Sequence, residues 1–153
     1  MSDVRVDVAS PQHGWLPITI RVDDEAVECQ ASHIVDTLKD LVYAALELTE
    51  RRAPRPIIIF EEPGAIRVSL VGSEQLVALT ITRHRDLASA QNDQNGASML
   101  SSSVERIGLA RAIWSGMRRL ERTVSREQIE AAWHNAFPAK EIAQLGERLS
   151  GDA

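Results

Sequence analysis

Residues 15–31 have the sequence WLPITIRVDDEAVECQA, and this stretch decides the fold of the first half of the chain. Every second residue from Leu16 to Val22 is aliphatic, and the residues between them are Pro17, Thr19 and Arg21. Alternation with a period of two indicates a half-buried β-strand. A polar turn follows at residues 23–25 and the alternation resumes at Val27, so the stretch predicts a β-hairpin.

Further strands are predicted on both sides of this hairpin. A weaker alternation precedes it at residues 4–8, and three apolar or alternating runs follow at residues 57–60, 66–70 and 77–81. The turns between the last three runs are too short for a parallel crossover, so these strands must pair antiparallel.

One helix is expected between the two groups of strands, from Ser32 to Glu50. The Ser32 hydroxyl can accept a hydrogen bond from an orphan amide of the first turn, and Pro54 follows shortly after the predicted end. A row of apolar residues at helical spacing should be buried against the sheet: Ile34, Leu38, Leu41, Val42 and Ala45. The predicted fold class is α+β: an antiparallel sheet of five or six strands packed on one helix and followed by a C-terminal helical segment.

The chain is expected to form one domain in three parts. Residues 1–82 form the body of sheet and helix. Residues 83–103 have almost no apolar periodicity and predict a mobile loop. Residues 104–149 predict helices that pack on the body, with helix starts marked by two capping boxes: Ser102 with Glu105, and Ser125 with Gln128.

The composition favours an ordinary globular protein of the cytoplasm. The chain has 153 residues, of which 44% are hydrophobic and 25% charged. Cys29 is the only cysteine, so no internal disulfide can form. Residues 1–9 lack the basic stretch and apolar run of a signal peptide, and no apolar run is long enough to cross a membrane.

Negative charge is concentrated in the first third of the chain. Residues 1–50 contain ten acidic and three basic residues, a net charge of −7, whereas the whole chain carries −5. This excess disfavours nucleic acid and anionic membranes as partners and suits a basic protein. Turn residues are free to reach outward, and we predict that five of them form an acidic partner-binding surface: Asp23, Asp24, Glu25, Glu61 and Glu62.

Trp15 is a further candidate contact residue. It lies on the face of its strand opposite the aliphatic row, where it is either covered by a helix or exposed as an anchor for a protein partner.

No motif predicts catalytic residues, a metal site or a cofactor, and the chain is not expected to be an enzyme. None of the four histidines has a partner at the spacing of metal ligands. Cys29 lies on the apolar side of its strand, which favours a buried thiol over a nucleophile. Glu61 and Glu62 are adjacent, so on a strand they would face opposite ways and could not share one acid–base site.

Five arginines near the predicted helix–helix turn leave a second interpretation open, a helix-turn-helix that binds DNA. They are Arg111, Arg118, Arg119, Arg122 and Arg126.

Three segments occur in an order that resembles small bacterial immunity proteins encoded beside polymorphic toxins: GWLPITIRV (14–22), ASHIVDTLKDLV (31–42) and EEPGAIRVSL (61–70). The resemblance covers roughly residues 13–82. It implies a compact, acidic, cytoplasmic inhibitor that neutralises its toxin by direct binding and has no catalytic residues. A structural or assembly component of a bacterial multiprotein complex is the alternative, together with the helix-turn-helix regulator.

Overall fold

The computed structural model describes residues 2–72 and 74–151, which form seven strands and five helices. The strands are β1 (Val4–Val8), β2 (Trp15–Val22), β3 (Glu25–Ser32), β4 (Ile57–Phe60), β5 (Ala65–Val71), β6 (Leu76–His84) and β7 (Ala97–Glu105). The helices are α1 (Thr37–Thr49), α2 (Leu87–Gln91), α3 (Arg106–Thr123), α4 (Arg126–Trp133) and α5 (Ala139–Gly151). The fold is α+β, as predicted.

The strands form two antiparallel sheets and not the single sheet that we expected. Sheet A has the order β1-β2-β3, and sheet B has the order β4-β5-β6-β7. All six predicted strands are present, and each short turn joins neighbours in one sheet. The prediction failed at the connection from β3 to β4, because this connection contains α1 and its ends need not lie in the same sheet.

The aliphatic rows of both sheets form one common core. In sheet A, Ile20 lies opposite Val6 on one side and Val27 on the other. In sheet B, Val68 lies between Ile57 and Ile81. All of these side chains are buried in the same hydrophobic cluster, so the alternation in the sequence marks the core face of each strand.

Helix α1 is shorter at its start than we predicted. Ser32 is not the N-cap, because it is still paired with Trp15 at the end of β3. Asp36 caps the helix, and its side chain accepts from the Lys39 amide at 3.4 Å. Ile34 therefore lies in the turn before the helix and is exposed, although we expected it in the core. The other four residues of the predicted row are buried: Leu38, Leu41, Val42 and Ala45.

Residues 83–103, which we expected to form a loop, contain the end of β6, all of α2 and most of β7. Strand β7 pairs with β6 along its length, and Leu100 and Val104 are its buried side chains. Their spacing of four fits a helix as well as a strand, and the serines around them carry no apolar signal. The predicted capping box of Ser102 and Glu105 consequently lies within β7, and Glu105 makes no side-chain cap.

The second capping box is confirmed. The Ser125 hydroxyl accepts from the Gln128 amide at 3.2 Å, and the Gln128 side chain accepts from the Ser125 amide at 3.3 Å. This reciprocal pair starts α4. The indole of Trp133 at the end of α4 is fully buried and donates to Asp36 Oδ1 at 3.1 Å, so one carboxylate fixes α4 and caps α1.

Helix α3 packs against the free edge of β1 at very short range. A Cβ atom on Gly116 would lie 2.4 Å from the Val6 carbonyl oxygen, so only glycine allows this approach. Three residues further on, Arg119 donates to the same oxygen at 2.8 Å and to Asp7 at 3.0 Å. Helix α3 therefore covers an edge strand that would otherwise present open backbone groups.

Arg106, the first residue of α3, is buried and bonded to backbone carbonyls alone. Its guanidinium donates to Leu48 at 2.9 Å and to Arg52 at 3.0 Å, at the C-terminal end of α1. It also donates to Gly72 at 2.6 Å and Glu74 at 2.8 Å in the turn between β5 and β6. One side chain thus joins α1, α3 and the β5–β6 hairpin.

Replacing Arg106 should destabilise the protein strongly. Arg106→Met leaves four carbonyl groups without this donor, and we expect a loss of about 3–5 kcal/mol in the free energy of unfolding, as for other broken buried charge networks. The free energy of unfolding of Arg106→Lys should lie between those of the wild type and Arg106→Met, because one ammonium group cannot reproduce the several donors of a guanidinium. Urea unfolding measures both values. Arg111→Met is the matched control on the exposed side of α3, and a loss for Arg106→Met no larger than for this control would contradict the assignment.

Gly116→Ala tests the contact between α3 and β1. The new methyl group would collide with backbone, and we expect a loss of about 1–3 kcal/mol, although alanine favours a helix by about 1 kcal/mol over glycine. Gly108→Ala in the same helix is the control, since its Cβ would meet only the Glu105 side chain, at 3.3 Å. Equal unfolding midpoints for the two variants would show that the close approach is unimportant.

Candidate functional site

The open end of the β2–β3 hairpin carries two exposed apolar side chains. Trp15 starts β2 opposite Ser32, and its side chain is 36% exposed. Ile34, two residues beyond Ser32, is 60% exposed. The structure therefore answers the question that the sequence left open: Trp15 is partly exposed on the outer face of sheet A. We call Trp15 and Ile34, together with the nearby Glu61 and Glu62, the hairpin-end surface.

A tight turn holds Trp15 in place. Gln12 and Trp15 exchange two backbone hydrogen bonds of 2.9 Å. The two residues between them, His13 and Gly14, both have positive φ, of 52° and 82°, which is typical of a type I′ turn. Gly14 also donates to Ala132 of α4 at 2.6 Å. The position of Trp15 is therefore set by the body of the protein.

Two of the predicted acidic residues, Glu61 and Glu62, lie at the same end of the hairpin. Glu61 follows β4, and its Oε2 accepts from the Gln30 amide of β3 at 3.0 Å. Gln30 is two residues before Ser32, the partner of Trp15. Glu62 is the next residue and is exposed. The hairpin-end surface therefore combines an aromatic side chain, an aliphatic side chain and two carboxylates.

The other three acidic residues lie at the opposite end of β3. Glu25 starts this strand, and the extended chain from Glu25 to Gln30 covers about 17 Å. Asp23 and Asp24 form the turn, where Asp23 Oδ1 accepts from the Asp3 amide at 2.8 Å. With residues 100–102 of β7 this turn lines a cleft of about 180 Å³. The five acids therefore form two groups, one near each end of β3.

Two histidines that are distant in sequence meet beside Gly14. The rings of His33 and His134 pack edge to face, with centroids 5.0 Å apart. A Cβ atom on Gly14 would lie 2.5 Å from the His33 Nδ1, so glycine makes room for the pair. His13 and His134 line an adjacent shallow groove of about 510 Å³. Sequence spacing could not reveal this cluster, because the residues come from a turn, a strand end and a helix end.

His84 is the second polar centre that sequence reasoning missed. It is buried, and its Nδ1 lies 2.9 Å from the Gln94 carbonyl oxygen, while its Nε2 lies 2.9 Å from the Thr82 hydroxyl. A carbonyl only accepts, so Nδ1 carries a proton, and in the neutral ring Nε2 then accepts from Thr82. The Ser89 hydroxyl, 3.1 Å from Nδ1, donates to the same carbonyl. His84 therefore anchors the α2 segment to β6 and cannot deprotonate Ser89 in this arrangement.

Cys29 is buried on the core face of β3, as predicted. Burial raises the pKa of its thiol from the ordinary 9.0 to about 12, with a smaller contribution from the negative charge of Glu61. A thiol that keeps its proton at neutral pH is a weak nucleophile. This environment is typical of a core residue.

The arginines that suggested a helix-turn-helix are largely bonded within the protein. Arg111 donates to a backbone carbonyl of α5 at 3.3 Å, and Arg118 donates to Glu121 on its own helix at 3.1 Å. Arg119 binds β1 as described above. These contacts engage three of the five side chains that phosphate binding would need.

In residues 2–72 and 74–151, no three side chains among His, Cys, Asp and Glu are grouped in a way that could hold a metal ion. The helices in this part of the chain do not combine the length and apolar character needed to span a bilayer.

Comparison of the chain with protein-family models, with curated proteins and with solved structures finds no match in any of the three. The function is therefore inferred from the chain's own residues.

The raised pKa of Cys29 makes stability depend on pH. The unfolded thiol ionises from about pH 9, whereas the folded thiol keeps its proton to about pH 12. The unfolded state binds fewer protons in this window, so the free energy of unfolding should fall as the pH rises. The slope for the wild type should be steeper than the slope for Cys29→Ala by up to about 1.4 kcal/mol per pH unit. Urea unfolding of both proteins between pH 8 and 11 tests this. Parallel pH curves, or a native thiol that reacts with a thiol reagent as fast as the unfolded one, would contradict the burial of Cys29.

Proposed function

We propose that this chain is a protein-binding module, and in its most specific form an immunity-type inhibitor that neutralises a partner toxin by direct contact. The observation that carries the proposal is the exposed pair Trp15 and Ile34 on the hairpin-end surface. Partly exposed tryptophans on a rigid support are frequent hot spots of protein interfaces. The type I′ turn and the pairing with β3 supply that support.

The carboxylates beside this pair support a basic partner. Glu61 is held by the Gln30 amide and Glu62 is exposed next to it. Charges at the rim of an interface mainly raise the association rate and make it depend on salt. Trp15 and Ile34 would then supply most of the affinity, and the two glutamates would direct the approach of the partner.

Two side chains of types that often take part in catalysis have structural roles in this chain. His84 is fully engaged in holding α2, and burial keeps Cys29 protonated. Both have structural explanations that leave no need for a reaction at these residues.

An assembly component of a larger complex would use the same surface, so the nature of the partner separates the two functions. An immunity protein binds a partner that arrests growth when it is expressed alone. An assembly component binds a partner whose expression is harmless.

The double variant Trp15→Ala with Ile34→Ser should lose the partner. We expect affinity purification from the native host, followed by quantitative mass spectrometry, to recover a protein with the wild type and not with this variant. With that partner purified, the loss should be about 2 kcal/mol or more, which is about 30-fold in Kd. Under the immunity proposal, co-expression of the wild type relieves growth arrest by the partner, and co-expression of the variant does not.

The chain offers a matched control on another hairpin. Val71 and Leu76 are 68% and 55% exposed beside the β5–β6 turn, so Val71→Ser with Leu76→Ser removes a similar apolar pair. This control should keep the partner. Loss of the partner in the control alone, or equal recovery with all three proteins, would refute the hairpin-end surface as the contact.

The two acidic groups can be tested separately. Glu61→Gln with Glu62→Gln should slow association at low salt, while Asp23→Asn with Asp24→Asn and Glu25→Gln should leave the rate nearly unchanged. Amides keep the acceptor oxygens that bind the Gln30 and Asp3 amides, so the fold is preserved. Stopped-flow kinetics with the purified partner measure the rates. A larger effect from the turn at residues 23–25 would place the basic partner at the opposite end of the hairpin.

A further inference from the structure

A groove of about 500 Å³ runs between α3 and α5, on elements that the hairpin-end surface does not use. Small residues of α5, Ala139, Ala143 and Gly146, line it together with Trp114 of α3. Gly146 has no room for a side chain, because a Cβ atom there would lie 2.9 Å from the Trp114 Nε1. The indole therefore packs directly on the backbone of α5. The floor of the groove is apolar, and no side chain at position 146 projects into it.

Trp114 supplies one free donor to this groove. The side chain is only partly buried, and its indole N–H has no hydrogen-bond partner within residues 2–72 and 74–151. Trp133, in contrast, is fully buried and its N–H is bonded to Asp36. The Trp114 N–H is thus available to an acceptor that enters the groove.

The wall formed by α3 and the start of α4 is basic. Arg118, Arg122 and Arg126 line it at intervals of four residues. Arg118 is paired with Glu121 at 3.1 Å. For Arg122 and Arg126, the described part of the chain contains no ion-pair partner within 4.0 Å. Two available guanidinium groups favour an occupant with carboxylates on the flank that faces α3, while Glu147, which lines the groove from α5, disfavours carboxylates on the other flank.

The dimensions fit a helix. The lining residues of α5 extend from Ala139 to Ser150, which is about 16 Å or three helical turns. A helix that lies between two others packs at 8–10 Å from each, and small residues in the floor allow this approach. Within the described residues, the apolar faces of α1, α3, α4 and α5 are already buried in the core, so the occupant comes from another protein.

We propose that the α3–α5 groove binds an acidic amphipathic helix of a partner protein. The apolar face of that helix contacts Trp114, Ala143 and Gly146, and its carboxylates bind Arg122 and Arg126. This is helix-in-groove recognition, with charge selecting the partner. It is independent of the hairpin-end surface.

The test uses two fluorescein-labelled helical peptides of the same length and the same leucine and alanine positions. One has glutamate at every charged position and the other has lysine. Fluorescence anisotropy with the full chain should show saturable binding of the glutamate peptide, at least about tenfold tighter than that of the lysine peptide. Equal binding of the two peptides, or no saturation of the glutamate peptide up to about 1 mM, which corresponds to a binding free energy of only about −4 kcal/mol, would overturn the proposal.

Two variants locate the binding. Arg122→Glu with Arg126→Glu should reverse the preference in favour of the lysine peptide. Ala143→Trp fills the groove at an exposed position and should weaken both peptides at least about tenfold. Urea unfolding establishes that both variants are folded. Trp15→Ala should bind the peptides as the wild type does, which separates this test from that of the hairpin-end surface. Peptide binding that survives in Ala143→Trp would place the peptide elsewhere and refute the proposal.

Discussion

The buried guanidinium of Arg106 is the interaction on which the arrangement of the elements depends. It has four carbonyl partners and no carboxylate, so its charge is compensated by the dipoles at the end of α1 and in the β5–β6 turn. Burial lowers the pKa of Arg106, but a guanidinium remains charged in proteins. A buried charge is tolerated only when its hydrogen bonds are satisfied. The start of α3, the end of α1 and the tip of sheet B must therefore lie where Arg106 reaches them all.

This constraint at the start of α3 directs the rest of the helix along the edge of sheet A. Gly116 then allows backbone contact with β1, and Arg119 satisfies the carbonyl at the contact. Closing this edge joins both sheets and the C-terminal helices around one hydrophobic core. The opposite side of α3 stays available, and with α5 it forms the groove that contains Trp114.

The two proposed contact surfaces differ in chemistry. The hairpin-end surface combines Trp15 and Ile34 with two carboxylates, while the α3–α5 groove combines Trp114 with a basic wall. Partners of opposite charge would be selected at the two places, because like charges across an interface are strongly unfavourable. Both tryptophans lie on regular elements, Trp15 at the start of β2 and Trp114 on α3, whereas Ile34 lies in the turn before α1.

The sequence by itself determined the features that arise from short-range patterns: the β2–β3 hairpin, the buried row of α1 from Leu38 onward, the capping box of α4 and the buried Cys29 thiol. Each follows from a repeat or from a pair of residues within a few positions. Only the tertiary structure decided that there are two sheets, that the Trp133 indole binds Asp36, and that serines 101–103 belong to a strand. It also separated the acidic residues into two groups and brought His33 beside His134. These features join distant parts of the chain, and local periodicity carries no information on such contacts: Leu100 and Val104, four residues apart, suit a helix and a strand equally until β6 supplies the backbone partner.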